Sequence, residues 1–266
     1  MMKNSMPVLF VGHGSPMNAI EDNPYSRAWS ALGKSLEKPK AILSISAHWF
    51  TRGTKINNEP MPAQIYDMYG FPDELYQLKY PAPGSPELVK RVQELLGNSV
   101  TVDNHWGIDH GAWSVLNRMF PEANVPILPL SVNAQLAPGE HFALGQMLKP
   151  LRDEGVLIFG SGNVVHNLSR IDWRKPEGAP WAEAFDQYIY HAIMSRKFDD
   201  VINYLDAGDA AELAVPSLDH FLPLLYVLGA SDETDQTSVF NQDCMLSSLS
   251  MTSYLFSGDL WQPGTT

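Results

Sequence analysis

The chain has 266 residues, a formal net charge of −12 and 44% hydrophobic side chains. That is enough to bury a full core, so a monomer is adequate, and the acidic balance argues against nucleic acid or an anionic membrane as partner. Cys244 is the single cysteine, which excludes an intramolecular disulfide and suits a reducing compartment. No apolar run reaches bilayer-spanning length, and Met1–Ser5 lead almost directly into a core strand with no visible signal peptide, so a cytoplasmic protein is expected.

In chain order, Pro7-Val8-Leu9-Phe10-Val11 reads as a buried strand running into the turn Gly12-His13-Gly14-Ser15-Pro16. Tyr25 to Leu36 reads as a helix, with apolar positions at Ala28, Trp29, Leu32 and Leu36. A second strand, Ala41 to Ile45, runs into Ser46-Ala47-His48-Trp49. Thr51 to Pro83 has no clear period and is rich in Pro, Tyr and Gly; it reads either as an ordered aromatic wall of a pocket or as a proline-rich surface connection. Ser85-Pro86-Glu87 starts a helix that Gly97 stops. Trp113 to Phe120 and Pro138 to Arg152 read as helices on either side of a strand at Pro126 to Val132. Gly155 precedes a strand at Val156 to Ser161, and Trp181 to Ser195 is helical. Leu218 to Leu228 reads as a buried helix capped by Ser217 and ended by Gly229, and residues 258–266 as a loose tail.

Strands alternating with helices predict a single α/β domain with its core at about residues 7–254. Its central, mostly parallel (mixed) β-sheet is flanked by helices. Ligands of such sheets bind beyond the carboxyl ends of the strands. His13, His48 and His166 each follow a predicted strand, and would meet there. Taken singly, two of them have a plainer reading: His13 as a turn residue facing water, His48 as a core histidine bonded to a carbonyl. His220, entering an apolar helix, needs a partner that a metal would satisfy, or else a backbone contact. His110 precedes a helix, where it is biased towards neutral and can donate to a substrate oxygen. His105, His141 and His191 read as surface or structural. Ser15 is not a nucleophile-elbow serine, because Pro16 and Met17 break the required glycine pattern.

The segments Gly12-His13-Gly14-Ser15-Pro16, Ser46-Ala47-His48-Trp49, Asp109-His110-Gly111, Ser161-Gly162-Asn163-Val164-Val165-His166-Asn167 and His220-Phe221-Leu222-Pro223 together resemble the class III extradiol ring-cleaving dioxygenases. The likeness is greatest to their 4,5-DOPA dioxygenase branch. It runs from about Pro7 to about Tyr254. The resemblance implies a non-haem metal, Fe(II) for catalysis with zinc able to occupy the site, held by His13, His48 and His220. It implies His166 as acid–base residue, with room to act as a fourth ligand, and His110 as the group that polarises substrate. In many relatives a glutamate stands where His220 falls here. The substrates implied are a small catechol and O2, and Trp49, Tyr66, Tyr69, Phe71 and Trp113 are the ring-binding candidates. Zinc-dependent hydrolysis and non-catalytic metal or phenol binding are the alternatives; no H-E-x-x-H pattern supports the first, and simple binding needs neither His110 nor His166.

Overall fold

In the computed structural model, which describes residues 5–262, the strands follow as β1 (Val8–Gly12), β2 (Ala41–Thr51), β3 (Thr54–Ile56), β4 (Val100–Val102) and β5 (Ile127–Asn133), then β6 (Val156–Gly162), β7 (Gln236–Phe240), β8 (Cys244–Met245), β9 (Leu249–Ser250) and β10 (Ser253–Ser257). Eight of them form one sheet in the order β4-β3-β5-β2-β6-β1-β10-β7. Its centre is parallel: β5, β2, β6 and β1 pair in one direction. The antiparallel pairs β1–β10 and β10–β7 extend one edge, and β3 turns antiparallel to β5 at the other. β7 and β10 had no clear signal in the sequence.

Both faces of the central strands are covered, so β1, β5 and β6 are buried along their whole length, as near-continuous apolar runs require. The period of two sorts their side chains. Val8, Phe10, Leu43, Ile45 and Ile158 enter one apolar layer, and Leu9, Val11, Ile42, Leu157 and Phe159 the other. Helices Pro86–Leu96, Pro138–Leu148, Pro180–Met194 and Leu222–Ala230 close the first layer; Pro24–Ser35 and His110–Met119 close the second. The starts follow the sequence signals. Asn23 caps the first helix reciprocally with Ser26, and Ser85 accepts from the Leu88 amide.

Several boundaries depart from expectation: β2 runs on to Thr51 rather than stopping at Ile45, and the helix expected from Trp113 opens at His110. The helix expected to reach Arg152 ends at Leu148 and tightens into a 3₁₀ turn, Lys149–Glu154, where Pro150 has no amide to donate. The late helix begins at Leu222 rather than Leu218, with Pro223 in its first turn. Ser217 is therefore not its cap, and His220 lies in the preceding turn. Gly229 does not end it. A Cβ there would lie 2.0 Å from the Phe142 carbonyl oxygen, so glycine serves close helix packing. The tail is docked at least to Trp261, whose amide donates to Ser238 at 2.7 Å; residues 1–4 and 263–266 lie outside the described residues.

One close approach positions the site. Gly162 ends β6 against the turn that carries His220: a Cβ there would sit 2.1 Å from the His220 carbonyl oxygen, which accepts from the Asn163 amide at 2.9 Å. Gly162→Ala must push that turn away. Overpacking of this kind costs about 1–3 kcal/mol, expected as a melting-temperature drop of about 2–12 °C at this size. Differential scanning calorimetry checks it, and an unchanged melting temperature would contradict the packing.

Candidate active site

Adjacent parallel strands deliver the histidines. β6 lies between β2 and β1, so His13 after β1, His48 on β2 and His166 after β6 share one end of the sheet. β2 continues to Thr51, but its pairing with β5 is interrupted: Ile45 faces Leu130 and Phe50 faces Val132. Residues 46–49 thus leave the ladder with β5, Ser46 still pairing with Ser161 of β6, and such irregularities re-aim side chains. His110 opens the helix His110–Met119, whose cap Asp109 accepts from the Ala112 amide. Asp109 also accepts from Ser46 Oγ at 2.6 Å and Trp106 Nε1 at 3.0 Å, tying helix start to bulge. Only glycine fits next to His110. A Cβ at Gly111 would be 2.8 Å from His48 Cδ2.

The hydrogen-bond network assigns the tautomers. Ser161 Oγ donates its proton to the Gly111 carbonyl at 2.6 Å, so it must accept from His13 Nδ1, 2.9 Å away. His48 Nδ1 faces Asp67 Oδ2 at 3.1 Å, and His220 Nδ1 donates to Asp219. His13 and His220 therefore keep their protons on Nδ1 and leave Nε2 as a lone pair, and the Asp67 carboxylate favours the same Nδ1–H form of His48. The Nε2 atoms of His13 and His48 are 3.1 Å apart. His220 Nε2 is buried and has no protein partner among the described residues. Lone pairs at that separation repel unless a proton or a cation lies between them.

Nitrogens of His13, His48 and His110 fall within 4.8 Å of one another. His220 adjoins this trio, its ring centroid 5.3 Å from that of His13 and 5.0 Å from that of His48. His166 stacks flat on His220, centroids 3.4 Å apart and planes 4° from parallel. His110 Nδ1 lies 3.0 Å from Asp67 Oδ1 but out of alignment for a hydrogen bond; its backbone amide donates to that oxygen instead.

The five ring-binding candidates separate. Trp113 is fully buried, and its Nε1 donates to the Ile65 carbonyl at 2.9 Å, so it supports the loop from beneath. Tyr66 packs on it, 5.7 Å between centroids, with its hydroxyl on the Leu78 carbonyl. Phe71 packs on the same layer, Trp49 is buried, and Tyr69 is 92% exposed. The Thr51–Pro83 stretch is not wholly irregular: Thr54–Ile56 is β3 and Asp73–Gln77 a short helix, and in the 57–83 loop Tyr66, Met68 and Phe71 pack on the second apolar layer. Sequence reasoning missed Asp67 and Ser161. Asp67 is the lone carboxylate in Tyr66-Asp67-Met68-Tyr69, a signal that was there to be used. Asp219 serves His220 from behind, accepting from its Nδ1. His141 is structural, with both ring nitrogens on backbone carbonyls.

Electrostatics follow from burial. It drives the His13 imidazole well below its ordinary value, helped by the neighbouring histidines. It takes His166 down to about 2, with His220 adding to the fall. His220 falls to about 4, burial outweighing the Asp219 hydrogen bond. His48 moves up: burial lowers it, but the Asp67 hydrogen bond and the Asp109, Asp67 and Asp219 charges prevail. For Asp67, burial is overcome by His110 and His48, and its carboxyl stays well below the usual range.

Comparison with known proteins decides the family. Residues 7–257 match the catalytic LigB subunit of aromatic ring-opening dioxygenases. The chain belongs to the LigB family. It is 44% identical over 259 residues to the 4,5-DOPA dioxygenase extradiol of Escherichia coli K12, covering 95% of each chain. It is 40% identical over 260 residues to the 4,5-DOPA dioxygenase extradiol of Beta vulgaris, covering 95% of this chain and 97% of that one. The crystal structure of an uncharacterized Escherichia coli K12 protein superposes with a TM-score of 0.83 at 42% identity, over 94% of this chain and 99% of the other. The LigB family makes this an aromatic ring-opening dioxygenase acting on a small aromatic substrate with O2, and the histidine cluster fits a non-haem metal site. No helix among the described residues is long and apolar enough to cross a membrane.

The depressed histidines set a pH dependence for the metal-free protein. In the unfolded chain they take up protons near pH 6.5; folded, His13, His166 and His220 refuse them. The unfolded state then binds more protons, so stability falls as pH drops from about 6.5 towards about 4. His48, shifted upward, opposes this with one group against three. The depressed carboxylates of Asp67 and Asp219 contribute only below about pH 4. Melting temperatures of metal-stripped protein between pH 7 and 5 are expected to fall, and His166→Gln to flatten the slope; a flat wild-type profile would contradict the burial argument.

Proposed function

We propose that the protein cleaves the ring of a catechol carrying an amino-acid side chain, DOPA in the first instance, at the 4,5 bond to give a semialdehyde. The metal is held by His13, His48 and His220, with Fe(II) the working ion and zinc able to take the same set. The observation that carries this reading is the pair of Nε2 atoms 3.1 Å apart whose Nδ1 atoms face Ser161 and the Asp67 carboxylate. Metal-bound imidazoles about 2.0–2.1 Å from a common ion would stand near that separation. His220 is the third ligand because its Nε2 is buried without a partner, while its Nδ1 is fixed by Asp219 as metal-binding histidines usually are.

Bound there, the ion supplies Lewis acidity that lowers a catechol hydroxyl pKa and, as Fe(II), the redox activity that O2 requires. Three neutral imidazoles cancel none of its charge, where a carboxylate would cancel one unit, and an anionic catecholate is favoured accordingly. His166, held neutral by burial and by His220, accepts the second hydroxyl proton. The anionic substrate then raises the pKa of His166 by opposite charge, so it keeps that proton until a leaving oxygen needs it. His110, in the first helical turn, donates to the substrate oxygen, where the helix terminus adds positive potential. Trp49, Phe71 and Tyr69 border the ring, with Tyr66 and Trp113 behind them.

His166→Ala is expected to retain metal and lose about 10²–10⁴ in turnover, the usual contribution of a general acid–base group. His220→Ala is expected to lose metal. Metal analysis and O2 uptake with DOPA and simple catechols check both. Metal loss in His166→Ala would make it a ligand. Protein stripped by chelator should regain O2 uptake and a yellow product with Fe(II) but not with zinc. No uptake with verified iron at the site would overturn the reading.

A further inference from the structure

Asp67 occupies an unusual position between loop and metal site. One carboxylate oxygen faces His48 Nδ1 at 3.1 Å, and the other accepts from the His110 amide at 3.0 Å. Its side chain is only 11% exposed. It belongs to the 57–83 loop, which is otherwise pinned at its flanks: Ile65 bonds to Ile108 through backbone atoms, and Tyr80 reaches the Phe120 carbonyl. For residues 67–71, the one hydrogen bond to the chain outside the loop, among the described residues, is that from the His110 amide to Asp67, with the Asp67–His48 ion pair beside it. Met68 and Phe71 add partly buried apolar contact.

We propose that Asp67 is a positioning residue through which the 57–83 loop and the metal stabilise each other. This rests on the metal-site reading above. The carboxylate holds the His48 ring with its proton on Nδ1 and its lone pair on Nε2, and raises its basicity as a ligand. Removal of such an outer partner typically weakens metal binding 10–100-fold. A metal on Nε2 makes the Nδ1–H more acidic and its bond to Asp67 stronger, and that bond closes the loop over the site. Binding linkage is reciprocal, so loop docking must favour metal by the factor by which metal favours docking. The aromatic wall and the metal centre are then one cooperative unit.

Two readouts on the full chain test this, both with zinc alone as the probe. Chelator competition measures zinc affinity, and hydrogen exchange follows the amides of residues 66–72 with and without zinc. Wild-type protein is expected to bind zinc and to slow exchange in that segment on binding. Asp67→Ala should bind zinc 10–100-fold more weakly and show no zinc effect on the segment. Asp67→Asn keeps size and one acceptor but loses the charge, should fall between, and decides the matter if the alanine variant does not fold. Variants that bind zinc like wild type would overturn the role of Asp67 alone. Weaker binding with no zinc effect on wild-type exchange would overturn the coupling. Wild-type protein that takes up no zinc would overturn the metal site and, with it, this proposal.

Discussion

The organising constraint is a set of imidazole lone pairs with nowhere to go. His13 and His220 give the Nδ1 proton outward to Ser161 and Asp219, and His48 turns its Nδ1 to the Asp67 carboxylate. That leaves three Nε2 acceptors in a pocket where His13 and His220 are almost wholly buried. Burial holds the His13 and His220 rings unprotonated, and only His48, pushed up by Asp67 and Asp109, favours a proton that could bridge its Nε2 to that of His13. A cation answers it at once, because a neutral imidazole is the form that binds metal. The free protein is in this sense arranged for an ion.

The fold exists to deliver those rings. The order β2-β6-β1 puts three histidine-bearing segments side by side, the bulge in β2 lifts His48 out of the ladder, and Gly111 and Gly162 let a helix start and the His220 turn approach within contact distance. Around this, the two outer carboxylates do different things. Asp219 is next to its histidine in sequence and fixes it locally. Asp67 comes from a loop and brings a wall of the pocket with it.

Much of this was legible in the chain, for physical reasons. Short continuous apolar runs bounded by Gly or Pro, such as Val8–Val11 and Val156–Phe159, fit central strands covered on both faces, and the histidines that follow them then share one end of the sheet. The antiparallel strands β7 and β10 were not legible, because Gln236–Phe240 and Ser253–Ser257 mix polar with apolar residues and carry little pattern. The boundary error at His220 had a definite cause. Ser217 looks like a cap, but the turn 218–221 is held by contacts to Gly162 and Asn163, which no local signal records. Trp113 shows the limit of residue type: an indole in a predicted pocket can support the wall rather than line it. Asp67 and Ser161 matter only through what faces them across the fold, 19 residues from His48 in one case and at the end of a different strand from His13 in the other.

The most direct test of the converging lone pairs is the anomalous scattering of zinc-loaded crystals collected at the zinc edge. A single strong peak is expected about 2.0–2.1 Å from Nε2 of each of His13, His48 and His220, with His110 outside the ligand set. A peak coordinated by His13, His48 and His110, or no peak within this cluster, would contradict the account.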